Sequence, residues 1–370
     1  MIVVVEPTYA GDDHAAVNGA ILQSLSIACG PVLFAATAKQ HAGVAEALKD
    51  GLAEVATETI HVMPPGGVKL RRMWGQHRFL SDIVGRHRPE ALVLLSAGPE
   101  TLFAARWLAT RHHRLRILAV MHGNISGIVG WRSRDPRRRL IDMTSSLRAA
   151  RHPRIQLVVL EATIKDRLAT LIPNRIVVWP MPTNHVEQPA WTRWTPPRRL
   201  TLTCVGSANR EKGFAGIIAM QKQTGALYQW AVTGTISAEF APEDVEVFTK
   251  PSRRLNREDY LAEVRKADYA VITFGQDYAL TASASLLDCF TQRKPVIALR
   301  TAALSSLEAE FGAFGYLCDG PDAMLQLVME PGRLRDEAAY AGFQRTLDTI
   351  HAARLPDALA VTLRTDIGCQ

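Results

Sequence analysis

Residues 180 to 199 divide this chain. Five prolines (Pro180, Pro182, Pro189, Pro196 and Pro197) fall there, together with Trp191 and Trp194. Proline fixes φ and removes a backbone donor, so neither a helix nor a central strand can run through such a stretch. On both sides one pattern repeats: short apolar runs, partly β-branched and bounded by turn residues, alternate with amphipathic stretches. The runs are 2–5, 32–36, 91–95, 116–120, 156–160 and 175–179 before the break, and 200–205, 228–233, 245–248, 269–273, 295–299 and 314–317 after it. Runs this short and apolar suit parallel strands covered on both faces. Stretches such as 13–27, 68–85 and 99–110 have helical spacing, and the chain reads as helix from about Leu334. Strand–helix alternation implies parallel sheets with right-handed crossovers.

The pattern predicts an α/β chain of two Rossmann-like domains: residues 1–185, a proline-rich linker at 186–199, and a second domain at 200–350. A C-terminal helix at 351–370 can pack back on the first domain. With 47% hydrophobic residues over 370 positions, each half can bury its own core. Ligands of such sheets sit beyond the carboxyl ends of the strands, which directs attention to a cleft between the two domains.

Charge is uneven. Residues 1–185 carry a balance of +9 and residues 186–370 one of −2. The excess sits in Arg137, Arg138 and Arg139 beside Trp131, and in Lys69, Arg71, Arg72 and Arg78 beside Trp74. Arginine with interfacial tryptophan suits an anionic membrane surface. No nucleic-acid-binding motif accompanies the charge. The opening residues lack a basic leader, and no apolar run nears the ~18–20 residues that span a bilayer. Five scattered cysteines, an odd number, argue against a disulfide framework and for a reducing compartment. The expected location is cytoplasmic, peripheral at the inner face of a membrane.

Four segments carry chemistry. In Cys204 through Phe214 (CVGSANREKGF) a strand ends in a glycine loop, and a lysine precedes the next helix. Glycine lets a phosphate approach the backbone, the helix N-terminus offers unpaired N–H groups, and Lys212 or Arg210 adds a full charge. Neither the P-loop spacing nor the dinucleotide glycine fingerprint is present. In 274–298 a strand is followed by small residues, Thr281 to Ser285, that open a helix, with Asp288 one turn in. Ser283 and Ser285 can donate to a diphosphate or, equally, cap the helix. After the first strand come Asp12, Asp13 and His14, with Asn18 on the same helix face as His14. One of the three can serve as a base toward an acceptor hydroxyl, or an aspartate can cap the helix. His122-Gly123 ends another strand, where a histidine either binds ligand or is a satisfied core residue.

These segments, in this order, resemble the GT-B glycosyltransferases, especially the large retaining group that includes family 4. Lys212-Gly213 matches the lysine-glycine of its C-terminal domain, and Asp288 with Lys294-Pro295-Val296-Ile297 matches the end of its paired-glutamate segment. Departures are Leu280 where the first glutamate falls, Asp288 in place of the second, Ser207 where an arginine is expected, and Arg293 where a glycine is. They leave the donor sugar and the stereochemical course open. The resemblance implies a GT-B fold, two Rossmann-like domains facing across a cleft, and a nucleotide-sugar donor, UDP- or GDP-linked, as substrate with no cofactor and no metal. Gly206, Arg210, Lys212, Ser283, Ala284, Ser285 and Leu286 would hold the diphosphate, Asp288 the ribose, and Thr249-Lys250 would lie near the base. Asp13, His14 and His122 would face a lipid-linked or glycan acceptor. The expected activity is sugar transfer in exopolysaccharide or lipopolysaccharide assembly. The alternatives are a nucleotide-sugar 2-epimerase and a catalytically silent GT-B partner subunit.

Overall fold

The computed structural model describes residues 1–11, 14–48, 55–61, 69–122, 125, 143–184, 192–249, 255–274 and 281–369. The chain forms two compact units: unit 1 takes residues 1–185, 280–282 and 354–370, and unit 2 takes 186–279 and 283–353.

Unit 1 is built on strands β1 (Ile2–Val5), β2 (Val32–Ala36), β3 (Val55–Thr59), β4 (Ala91–Leu94), β5 (Arg116–Val120), β6 (Ile155–Val159) and β7 (Ile176–Val178). They lie in the order β3-β2-β1-β4-β5-β6-β7, each pair parallel. The order reverses between β1 and β4, so the connections leave those two strands in opposite directions and open a crevice beyond their carboxyl ends. Helices α1 (Ala15–Cys29) and α2 (Ala38–Leu48) pack together, while α3 (Lys69–His87), α4 (Pro99–Arg111) and α5 (Met143–Ala149) pack in series, and α6 (Ala162–Ala169) lies along β6 and β7. The core between α3, α4 and the sheet contains Val3, Val5, Leu80, Ile83, Leu92, Leu94 and Leu102.

Among its described residues unit 2 has five parallel strands: β8 (Thr201–Val205), β9 (Gln229–Thr233), β10 (Tyr269–Ile272), β11 (Val296–Leu299) and β12 (Gly315–Cys318), in the order β12-β11-β10-β8-β9. Here the reversal falls between β8 and β10. The helices are α7 (Phe214–Thr224), α8 (Pro242–Val245), α9 (Arg257–Lys266), α10 (Ala284–Thr291), α11 (Ala302–Phe311), α12 (Pro321–Met329) and α13 (Glu337–Ala353). Trp194, from the proline-rich stretch, stacks on Tyr340 with ring centroids 3.9 Å apart, and its Nε1 donates to Asp268 at 2.8 Å. That stretch is therefore tied to unit 2 where it approaches β8.

The last helix, α14 (Pro356–Ile367), belongs to unit 1 and packs on α1. The indole of buried Trp179 donates to Asp366 at 3.0 Å, and Arg364 donates to the α1 carbonyls of Ala28 and Ile27. Arg354, 6% exposed, makes two hydrogen bonds to the Glu161 carboxylate, at 3.3 and 3.2 Å. The Thr183 amide donates to the Arg354 carbonyl at 2.8 Å.

Three expectations are corrected. Residues 245–248 do not form a strand. Pro242-Glu243-Asp244 starts the helical turn α8 and Val247 is exposed, so the apolar alternation there only imitates a strand. The sequence pattern missed β3, an edge strand whose side chains are mostly exposed, which leaves no apolar run to read. Finally, Cys29 and Cys369, 340 positions apart, form a disulfide, because α14 returns its end to the end of α1. The cysteine argument for a reducing compartment therefore falls. Cys204, Cys289 and Cys318 are buried free thiols. Unfolded without reductant, the protein should expose three reactive thiols, and five after reduction. Five without reductant would overturn the bridge.

Candidate functional site

In unit 2 the reversal point gathers the loop after β8 and the start of α10. Gly206 has φ +85, and a Cβ there would lie 2.3 Å from the Ser285 Oγ and 3.3 Å from the Lys212 Nζ. Only glycine fits the conformation and the space, so its backbone is the floor on which Ser285 and Lys212 meet. Gly213, at φ +73, presses on the Thr273 carbonyl, and the Thr273 Oγ1 donates to the Lys212 carbonyl at 2.9 Å. The Lys212 amide donates to the Asn209 Oδ1 at 2.9 Å. These contacts hold the lysine against the end of β10.

Burial pulls the Lys212 ammonium below its ordinary pKa, with Cys204 and Asp288 working the other way. Among the described residues it forms no ion pair. A partly desolvated cation at a helix N-terminus, beside a glycine floor and a hydroxyl, is an arrangement that can hold an anion.

Other residues singled out in the sequence sit differently. Ser283 caps α10, its Oγ accepting from the Leu286 amide at 3.3 Å. That amide is thus taken, while Ala284 and Ser285 stand in the first turn. Arg210 is turned away into an ion pair with Glu239 at 3.2 Å. Asp288 is buried and accepts from Arg257 at 2.5 Å, with Tyr260 also on it. Its expected ribose role therefore meets a carboxylate already engaged. Arg257 and Tyr260 were not legible as site residues, although Asn256, which caps α9, marked where their helix begins. Thr249 pairs through its backbone with Trp230 and Val232 along β9.

In unit 1 the reversal point holds a second cluster. The N-cap of α1 is His14, at φ +64, and its side chain caps nothing. The His14 Nδ1 lies 2.5 Å from the His122 Nε2, and Tyr9 meets the His14 ring edge-on. Burial pushes the His122 pKa down to about 3, with the neighbouring His14 adding to it. The ring is neutral at physiological pH and, as so weak a base, is suited to hydrogen-bonding a hydroxyl rather than to taking its proton. Asn18 does not join His14. It turns inward, to Glu6 at 3.2 Å and Gln40 at 3.3 Å. Asp12, Asp13, Gly123, Arg137, Arg138, Arg139, Lys250 and Leu280 lie outside the described residues. Arg72 is paired with Glu100 at 2.5 Å.

Glu6 was missed in the sequence, although an acid directly after an apolar strand marks it. Fully buried, it accepts from the Thr8 amide at 2.9 Å, the Tyr9 amide at 3.1 Å, the Ser96 Oγ at 2.9 Å and Asn18. It thereby holds the turn that sets Tyr9 against His14. Burial outweighs these bonds and pushes its pKa up to about 7. The unfolded chain ionises Glu6 from about pH 4.5 and the folded chain only from about 7, so in that window the folded state holds the extra proton. Stability should fall as pH rises through the window, by about 3 kcal/mol, and level off above it. Glu6→Gln should remove that fall. Matching urea-unfolding profiles for the two proteins at pH 5 and pH 8 would refute the assignment.

No protein-family model matches the sequence, and no curated protein is similar to it. Solved structures do match. Anabaena HepE in complex with UDP and glucose superposes with a TM-score of 0.67 over 100% of this chain and 99% of its own, at 11% identity. A glycosyltransferase from Rickettsia africae gives 0.65 over 99% and 97% at 12% identity. An E. coli trehalose-6-phosphate protein bound with UDP-2-fluoro glucose gives 0.62 over 99% of both chains at 10% identity. The fold is GT-B. In GT-B terms unit 1 is the N-terminal domain, completed by α14, and unit 2 is the C-terminal one. Among the described residues no three His, Cys, Asp or Glu side chains converge as a metal site, and no helix is long and apolar enough to cross a membrane.

Proposed function

We propose that this protein is a glycosyltransferase that moves a sugar from a UDP- or GDP-linked donor to a lipid-linked glycan, in exopolysaccharide or lipopolysaccharide assembly. The observation that carries the reading is the convergence of Gly206, Lys212 and Ser285 at the N-terminus of α10. As the glycosidic bond to the donor breaks, negative charge grows on the departing diphosphate. The Lys212 ammonium and the first amides of α10 face that charge, so the proposal needs no divalent cation. HepE bound to UDP and the E. coli protein bound to a UDP-sugar support UDP as the first nucleotide to try. Unit 2 would bind donor. Unit 1 would bind acceptor, with Tyr9, His14 and His122 toward its hydroxyl. The placement at the inner face of a membrane rests on the donor and acceptor, since the Cys29–Cys369 bridge removes the cysteine argument.

One observation favours a second reading, a silent partner subunit: Asp288 is already neutralised by Arg257. Thermal shift against UDP, GDP, dTDP, ADP and CMP, with and without a chelator, separates the two. A nucleotide at ~100 times its Kd should stabilise the protein by about 2.7 kcal/mol, chelator or not. No shift with any nucleotide would sink the transferase reading.

A further inference from the structure

The start of α3 presents one outward stripe. Leu70 and Trp74, one turn apart, are 58% and 60% exposed, and the exposed Arg71 and Arg78 flank them. The opposite side of the helix buries Met73, His77, Leu80 and Ile83, so the stripe is not needed for the core. The Trp74 ring lies 5.8 Å from Trp107 on α4, Trp107 lies 6.2 Å from Phe103, and the Arg111 guanidinium sits 5.7 Å over the Trp107 ring. Isolated exposed apolar residues are ordinary, but here they join into a patch rimmed by cations.

The charge on the patch is uncompensated. Arg71, Arg78 and Arg111 form no ion pair among the described residues, whereas Arg72 is spent on Glu100. The two acids of α3 and α4, Asp82 and Glu100, are paired with Arg86 and Arg72. An apolar ridge edged by arginines that form no ion pair among the described residues is complementary to a surface that is anionic above and apolar just beneath. Tryptophan settles at the headgroup level of a bilayer, and arginine's long stem lets its charge reach phosphates beside an inserted ring.

We infer that the α3–α4 face docks unit 1 on an anionic lipid bilayer, with Leu70 and Trp74 entering the interface and Arg71, Arg78 and Arg111 binding headgroup phosphates. This rests on the reading of a lipid-linked acceptor and locates the membrane contact that the reading requires. It assigns the contact to residues other than Arg72.

The test is flotation with vesicles of phosphatidylcholine alone or with about 30% phosphatidylglycerol. Binding should need the anionic lipid and weaken steeply with salt. The triple change Arg71→Ser, Arg78→Ser and Arg111→Ser should lower affinity on the order of a hundred-fold, at roughly five-fold per arginine. Leu70→Ser with Trp74→Ala should lower it by about ten-fold or more. Brominated lipid should quench a fluorescence component that disappears in Trp74→Phe. Affinity unchanged in both multiple variants, or equal binding to neutral vesicles, would overturn the docking. Binding without Trp74 quenching would overturn the insertion. Each variant is checked for an unchanged unfolding midpoint. The UDP thermal shift is read in parallel: vesicle binding without a UDP shift would sink the donor reading and leave the docking standing.

Discussion

Replacing Lys212 with methionine is expected to weaken UDP binding and donor turnover by ~10²–10³-fold while leaving the protein as stable as before, or more so. The two halves of this result have one cause. The ammonium is desolvated, its pKa is depressed, and the nearest carboxylate, Asp288, is engaged by Arg257. A half-buried, partly desolvated cation without a hydrogen-bonded counter-ion costs stability when no anion is bound, and methionine keeps the packed stem without that cost. The same charge becomes favourable only when an anion occupies the space above Gly206. Calorimetric UDP binding and the thermal midpoint are measured on the same preparation. Affinity within about three-fold of wild type would remove Lys212 from the donor site. A midpoint falling by several degrees would make the lysine structural.

Gly234→Ala should cost about 4 kcal/mol or more, a large part of the 5–15 kcal/mol that typically holds a domain together. Gly234 follows β9 at φ +140, and a Cβ there would lie 2.1 Å from the Gly206 carbonyl oxygen. Neither backbone can yield. The Gly206 amide donates to the Thr233 carbonyl at 2.8 Å, and the Ala208 amide to Thr235 at 2.7 Å, so the two loops run on as a pair beyond their strands. The substitution therefore combines a conformation reserved for glycine with a backbone clash. UDP affinity should fall as well, because the displaced partner is the floor beneath Lys212. Gly216→Ala is the control. That glycine lies in α7 with nothing near its missing Cβ, and alanine there should add about 0.5–1 kcal/mol. A Gly234→Ala loss below about 1 kcal/mol in urea unfolding would show that the loops can separate.

What could be read from the sequence follows from what each signal depends on. Strands such as Ile2–Val5 and Ala91–Leu94 were legible because burial on both faces writes an unbroken apolar run into the chain. Val55–Thr59 was not, since an edge strand has no such need. Gly206, Lys212 and Ser285 could be singled out because a glycine turn at a strand end, a lysine before a helix and small residues opening a helix are local patterns, and the fold brings the three together. Glu6 and Arg257 carry only faint local marks, an acid after an apolar strand and a place just behind a helix cap. Their meaning lies in what folding brings around them: Ser96 from 90 positions away for Glu6, and Asp288 from 31 away for Arg257. The Cys29–Cys369 pairing was hidden for the same reason.

The return of α14 to unit 1 also sets an order of events during synthesis. Unit 2 is complete once residue 353 has emerged, but unit 1 still lacks the helix that covers α1. At ~5–20 residues per second, the ribosome takes roughly ten to thirty seconds to travel from residue 185 to residue 354. Through that interval the half of the chain made first stands unfinished, with the α1 surface that α14 will cover still open. The half made second can close ahead of it. In the growing chain, the first domain in sequence is the last to be completed.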